Sequence, residues 1–177
     1  METIVRHRDE GEATWFLNSL VTSKATAAET GGTYGISEHL VTAASNPPPH
    51  VHTDEEEAFF LLDGEVAFEM DGTFTECRPG SFVLVPRGAL HSFRVLTETA
   101  RMLVISSSLS PAPGGGVQRF FVVAGTPARA RVLPEVNAPD PAALAAAATA
   151  HGIEIAAPPG PDETGSSFSP TFAGSGL

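Results

Sequence analysis

One cysteine, one tryptophan and one tyrosine are all that a chain of 177 residues contains of these types. A lone cysteine, Cys77, cannot close an intramolecular disulfide, and it supplies too few thiolates for the sulfur-rich sites that hold most structural zinc. Nothing beside it in the sequence suggests a lowered thiol pKa, so Cys77 reads as a half-buried strand residue. Basic side chains are scarce as well: 10 Lys and Arg face 21 Asp and Glu, a net charge of -11. Such a chain repels phosphate backbones and anionic lipid, so small molecules are the expected partners, with no nucleic acid and no membrane. No apolar run approaches the ~20 residues that span a bilayer; "FVLVP" and "RMLVISSS" are of strand length. The opening stretch "METIVRHRDEGEATW" lacks the apolar core of a secretory signal, and the expected location is cytoplasmic. With 42% hydrophobic residues, the chain can bury one core.

Turn signals recur at short spacing: Asp63-Gly64, Asp71-Gly72, Pro79-Gly80 and Pro86 to Gly88, with β-rich segments between them. Val66, Phe68 and Met70 alternate with Glu65, Ala67 and Glu69, the pattern of a strand with one buried face, and Thr73 to Thr75 return as its hairpin partner. Trp15 to Val21 and Tyr34 to Thr42 read as strands joined through a Gly31-Gly32 turn, and Phe93 to Leu96 and Arg101 to Ile105 complete the set. The fold class expected is all-β, a double-sheet jelly-roll barrel with a short C-terminal helical appendage. Residues 1–30 are N-terminal strands packing on the barrel or on a dimer partner, 31–110 the barrel core, 111–157 the appendage and 158–177 a flexible tail. Within the appendage a helix is expected near 140–151, with Asp140 as N-cap, Pro141 in the first turn and Gly152 past the end. The apolar segment "TWFLNSL" exceeds what a minimal barrel needs to hide and points to a homodimer.

Chemistry concentrates in two stretches. In "PPPHVHTDEEEAFFLLDGEV", His50 and His52 flank Val51, and on a strand they point to the same face. His91 lies in "PGSFVLVPRGALHSF". A carboxylate completes the set. Glu57 shares strand parity with Phe59 and Leu61 and is chosen over Glu55 and Glu56, although an irregular backbone after His52 would bring Glu56 inward instead. Asp54, Glu55 and Glu56 then read as solvated acids at a strand entrance. His7, His39 and His151 have no such company; of these, only His39 sits on a strand that leads into the ligand segment.

These two stretches resemble the two motifs of the cupins. The first motif runs from His50 through Glu57 to Gly64, and the second matches at Gly80, Pro86, Gly88 and His91. Ala44 and Val95 stand where the motifs carry glycine and asparagine. A looser likeness, through "WFLNSLVTSKATAAETGGTYGISEHLV" and "GGGVQRFFVVAGTPA", extends to the small single-domain bacterial cupins that include quercetin 2,3-dioxygenase. The resemblance implies a cupin barrel with His50, His52, Glu57 and His91 as metal ligands, and with Glu57 also accepting the substrate proton.

Imidazole and carboxylate ligands suit one divalent transition metal, whether Fe, Ni, Mn, Cu, Co or Zn. Three neutral imidazoles and one carboxylate leave about one net positive charge and, in an octahedron, two open positions. One position would take a substrate enolate or phenolate and the other dioxygen or water. Phe59, Leu61 and Phe93 are expected to line an apolar substrate pocket. The leading expectation is a quercetinase-like dioxygenase acting on a phenolic or enolic small molecule. The alternatives are a non-redox isomerase, cyclase or decarboxylase, a barrel that binds a small molecule without turnover, and a closed structural zinc site.

Overall fold

A computed structural model describes residues 2–108 and 116–156. Among the described residues, twelve strands form two antiparallel sheets. The larger sheet holds β1 (Ala13–Phe16), β2 (Ser19–Ala25), β3 (Tyr34–Thr42), β5 (Glu55–Asp63), β8 (Phe82–Val85), β10 (Thr99–Ser108) and β11 (Thr126–Pro127), in the order β11-β1-β2-β3-β10-β5-β8. The smaller holds β4 (His50–His52), β6 (Val66–Met70), β7 (Thr73–Cys77), β9 (His91–Val95) and β12 (Ile153–Ile155), in the order β12-β4-β9-β6-β7. Helices α1 (Gly116–Ala124) and α2 (Pro141–Thr149) follow β10. This is the jelly roll expected from the rhythm of turns.

The core forms where the inner faces meet. Phe59 and Leu61 from β5, Met102 and Val104 from β10, Val66 and Phe68 from β6 and Val95 from β9 are buried together. Alternation explains the choice: on β8 Val83 and Val85 turn inward while Phe82 and Leu84 stay exposed. A second apolar cluster forms where Phe16 and Val21 meet Val117, Phe120 and Phe121 of α1, Ala148 of α2 and Ile153 of β12.

Trp15 to Val21 is not one strand. The chain reverses at Leu17 and Asn18, both at positive φ (44° and 59°), and β1 and β2 pair as a hairpin with Trp15 opposite Leu20. Nor does "TWFLNSL" present the surface expected of it. Phe16 and Leu20 are buried within the chain, the Phe16 ring lies 5.1 Å from Phe120 and 5.3 Å from Phe121, and Trp15 Nε1 donates to Val132 O at 2.8 Å.

Helix α2 begins as the sequence suggests: Asp140 Oδ1 accepts from the amides of Ala142 and Ala143, with Pro141 opening the helix. After α2 the chain passes Gly152 at positive φ and enters β12, which pairs with β4 so that Ile153 opposes His52 and Ile155 opposes His50. The tail expected over 158–177 lies outside the described residues. No described helix is long and apolar enough to cross a membrane.

Candidate metal centre

The four groups singled out in the sequence converge between the sheets. His50 and His52 come from β4 and His91 from β9, where it pairs directly with His50; Glu57 reaches across from β5 of the opposite sheet. One candidate ligand atom from each lies within 4.8 Å of the others. Glu57 Oε2 stands 3.3 Å from His91 Nε2 and 3.4 Å from His52 Nε2. Ligand atoms sharing one transition-metal ion at ~2 Å are separated by distances of this order.

Two of the imidazoles are oriented by backbone carbonyls. His50 Nδ1–H donates to Pro48 O at 2.9 Å and His91 Nδ1–H to Ala89 O at 3.0 Å. Each carbonyl belongs to a stiff segment, Pro47 to Pro49 in one case and the Pro86 to Ala89 turn in the other. That turn is tied to the ligand strand where Gly88 N–H donates to His52 O at 3.0 Å. A histidine whose Nδ1 carries the proton presents a lone pair at Nε2. With Nε2 bare, this lone pair faces the Glu57 carboxylate at 3.3 Å, acceptor against acceptor, and a metal cation or a proton between them turns the contact into attraction. His52 adds to the mismatch, since neither of its buried ring nitrogens has a hydrogen-bond partner. An unmade hydrogen bond at a buried polar atom costs roughly 1–3 kcal/mol, which a bound cation would offset. The donor set, the fixed tautomers and the orphaned imidazole all fit a divalent transition metal.

Charge and burial are balanced across the cluster. Burial works against ionisation of Glu57, but the pull of His52 and His91 outweighs it and holds the carboxyl well below its ordinary range. Burial likewise opposes the charged form of His52, and the attraction of Glu57 and Glu55 outweighs it and raises its pKa. Half-buried His50 is held down at about 4, first by burial and then by the neighbouring His91 and His52.

A cavity of about 70 Å³ opens beside the four groups and is lined by His50, His52 and Glu57 together with Phe59, Phe93 and Val104. Helix α1 closes it with Phe120 and Phe121, and β12 adds Ile153 and Ile155. Leu61 does not line it. Two residues further along β5 than Phe59, Leu61 is 2% exposed and packed in the barrel core.

Two residues have larger roles in the structure than their sequence context suggested. Glu55 is not a solvated acid: it is buried, and its Oε2 accepts from Val117 N–H at 2.6 Å, capping the first turn of α1. His39 lines the cavity, its Nε2 paired with Ser37 Oγ at 2.8 Å and its ring 4.9 Å from that of Phe121. The Ser19 and Ser45 hydroxyls on the same wall are bonded to backbone carbonyls. His39 Nδ1, for which no hydrogen bond is found among the described residues, is a side-chain donor or acceptor available to a ligand away from the four-residue cluster. The signal for it was parity, since Ser37, His39 and Val41 all point inward on β3. Burial holds the His39 pKa at about 4, against a weaker opposing pull from Glu57, so the ring is neutral near pH 7. The unfolded chain takes up this proton near 6.5 and the folded one only near 4, so the linkage favours unfolding as pH falls through that window.

With the geometry established, comparison with known proteins places the fold. The family model described as "Cupin domain" matches residues 38–106. Those residues carry the match to a cupin domain. Quercetin 2,3-dioxygenase of Bacillus subtilis (strain 168) is 27% identical over 118 residues, covering 67% of this chain and 33% of that protein. The chain thus spans about a third of the length of that relative. Among solved structures, a predicted oxalate decarboxylase from Thermotoga maritima superposes with a TM-score of 0.55 at 16% identity, covering 60% of this chain and 100% of that chain. Ectoine synthase from P. lautus superposes with a TM-score of 0.50 at 17% identity, covering 60% and 78% of the two chains. These two likenesses concern the fold.

Proposed function

We propose that this chain is a metal-dependent enzyme of the cupin fold that oxygenates a compact enol or phenol. The observation that carries the reading is the frustrated quartet: His50, His52 and His91 with Glu57, arranged as a cation would arrange them, at the inner wall of an apolar cavity. The 27% likeness to quercetin 2,3-dioxygenase over two thirds of this chain supports the choice of oxygenation. His50, His52, Glu57 and His91 would hold the ion, which when bound supplies Lewis-acid stabilisation to an enolate or phenolate oxygen.

The protein's own groups do the rest. Phe59, Phe93, Phe120 and Phe121 exclude water and favour a flat ligand. Glu57, ionised at neutral pH and facing the cavity, is the base within reach of a bound hydroxyl. His39 Nδ1 offers a second polar contact, as donor or acceptor according to which way the Ser37 hydroxyl turns. Cavities that enclose drug-sized ligands run to roughly 300–1,000 Å³. The 70 Å³ available here suits a single ring or a short 1,3-diketone better than a three-ring flavonol.

Anaerobic titration of metal-replete protein with 2,4-pentanedione, catechol and quercetin, followed by admission of air, tests this. Oxygen uptake is expected with one of the compact ligands and faster than with quercetin. No uptake with any of them removes oxygenation, and conversion of a ligand under anaerobic conditions points instead to isomerase, cyclase or decarboxylase chemistry.

A further inference from the structure

Most of the cavity wall is apolar, so its few polar atoms decide which ligand it accepts. Among the described residues, the polar side chains on that wall, apart from the quartet, are Ser19, His39 and Ser45. Both serine hydroxyl protons are committed, Ser19 Oγ donating to Phe16 O and Ser45 Oγ to Asn18 O. His39 differs. It is 7% exposed, its Nε2 is paired with Ser37 Oγ, and among the described residues its Nδ1 has no hydrogen-bond partner. The Ser37 bond and the edge-to-face contact with Phe121 together hold the plane of the ring. A buried ring nitrogen left in this way is unfavourable unless something in the cavity satisfies it.

Register places this nitrogen away from the quartet. Strand β10 lies between β3 and β5, so the backbones of His39 and Glu57 stand two strand spacings apart, roughly 10 Å. His39 opposes Met102, and Met102 opposes Leu61, which lies about 13 Å beyond Glu57 along β5. One oxygen atom cannot touch both groups. A ligand that satisfies both spans the cavity, with one oxygen at the quartet and a second polar atom at His39. Burial keeps the His39 ring uncharged near pH 7. A hydroxyl or carbonyl bonds well to a neutral imidazole, whereas a carboxylate there would lose its water with no cation facing it. The rings of Phe93, Phe120 and Phe121 suit a flat, apolar middle.

We propose that His39 is the specificity-determining residue of this site, and that the ligand is a single-ring phenol or compact enol with a second, neutral hydroxyl or carbonyl remote from the oxygen at the quartet. The choice of a phenol or enol rests on the oxygenation reading, while the second polar group is assigned by His39 alone.

Ligand pairs of matched shape test this without turnover. Hydroquinone and resorcinol carry a hydroxyl where para-cresol and meta-cresol carry a methyl group. Each is titrated anaerobically into the Co(II)-loaded full chain, read by calorimetry and by the Co(II) absorption spectrum. A purely apolar wall prefers the methyl group, and a wall with an unsatisfied nitrogen prefers the hydroxyl. The wild type is expected to bind one of the two diols at least about tenfold more tightly than its cresol, and para-hydroxybenzoate more weakly than hydroquinone. His39→Phe should abolish or reverse the preference for the diol while still binding both cresols. His39→Asn, whose amide can take the place of Nδ1, should retain a preference of about threefold or more. Circular dichroism and Co(II) stoichiometry should match the wild type in both variants. In the Zn-loaded wild type, the nitrogen NMR signal of His39 Nδ1 should shift with the preferred diol and stay in place with its cresol, which reads the contact without a variant. Equal binding of diols and cresols by the wild type, a preference that survives His39→Phe, or a His39 signal indifferent to the diol would each overturn the assignment and leave the oxygenation reading standing. A Co(II) spectrum that no phenol perturbs would remove that reading, and this proposal with it.

Discussion

His52→Ala protein is expected to bind a divalent transition metal at least about a hundredfold more weakly than the wild type. Losing a group that merely orients a ligand costs about 10–100-fold in metal affinity, and losing a ligand should cost more. His52 is the most telling position because neither of its buried ring nitrogens makes a hydrogen bond and Nε2 faces the Glu57 carboxylate at 3.4 Å. If it were a structural residue, its replacement would leave a small cavity and relieve an unmet polar group, with no effect on metal. The matched control is His39→Phe. His39 borders the same cavity but lies outside the quartet, so this change should shift metal affinity by no more than about threefold. Titration calorimetry with Zn, Ni and Mn on both variants reads the difference. A metal present at a hundred times its dissociation constant adds about 2.7 kcal/mol to folding stability, so the metal-induced rise in melting temperature should vanish in His52→Ala and persist in His39→Phe. Equal affinities in the two variants would remove His52 from the ligand set.

The second large effect concerns folding. Gly64 joins β5 to β6 at φ +75°, and a Cβ built there would lie 2.4 Å from Thr99 O and 2.7 Å from Ala100 Cα. Both obstacles are backbone at the start of β10, so neither can rotate away. Gly64→Ala therefore meets an unfavourable φ and an overlap together, and a loss of about 3–5 kcal/mol is expected. Against a typical total of roughly 5–15 kcal/mol, this brings the barrel near unfolding. Gly72 provides the comparison, with φ +77° but nothing within 4 Å, so Gly72→Ala should cost only about 1 kcal/mol. Urea denaturation of the metal-free proteins separates the two; similar midpoints would mean that the β10 backbone yields. The same contact explains why a glycine belongs at this place in the first motif, a point that turn propensity alone does not reach.

What could be read in the sequence was whatever depends on spacing within a strand. Alternation placed His50 with His52 and Glu57 with Phe59, and the succession of turns led to two sheets. The features that escaped depend on contacts between distant segments. Helix α1 is built from "GVQRFFVVA", a run rich in β-branched and aromatic residues. It is helical because Phe120 and Phe121 bury against Phe16 and because the Glu55 carboxylate, 62 residues earlier, caps its first turn. The break at Leu17-Asn18 escaped because leucine is not a residue that announces positive φ. Strand β12 is three residues long and exists through its pairing with β4, so the appendage became part of the cavity wall only once folded. Parity favoured Leu61 and Phe59 equally for the pocket. Depth along the barrel, which alternation does not encode, separated them.

The central claim is that one cation sits among His50, His52, Glu57 and His91, and anomalous diffraction tests it most directly. Crystals grown with Zn or Mn, measured on either side of that metal's absorption edge, should show one peak per chain at about 2.0–2.3 Å from His50 Nε2, His52 Nε2, His91 Nε2 and a Glu57 carboxylate oxygen. An anomalous map with no peak among these four groups, or with the metal bound elsewhere on the chain, would contradict the account.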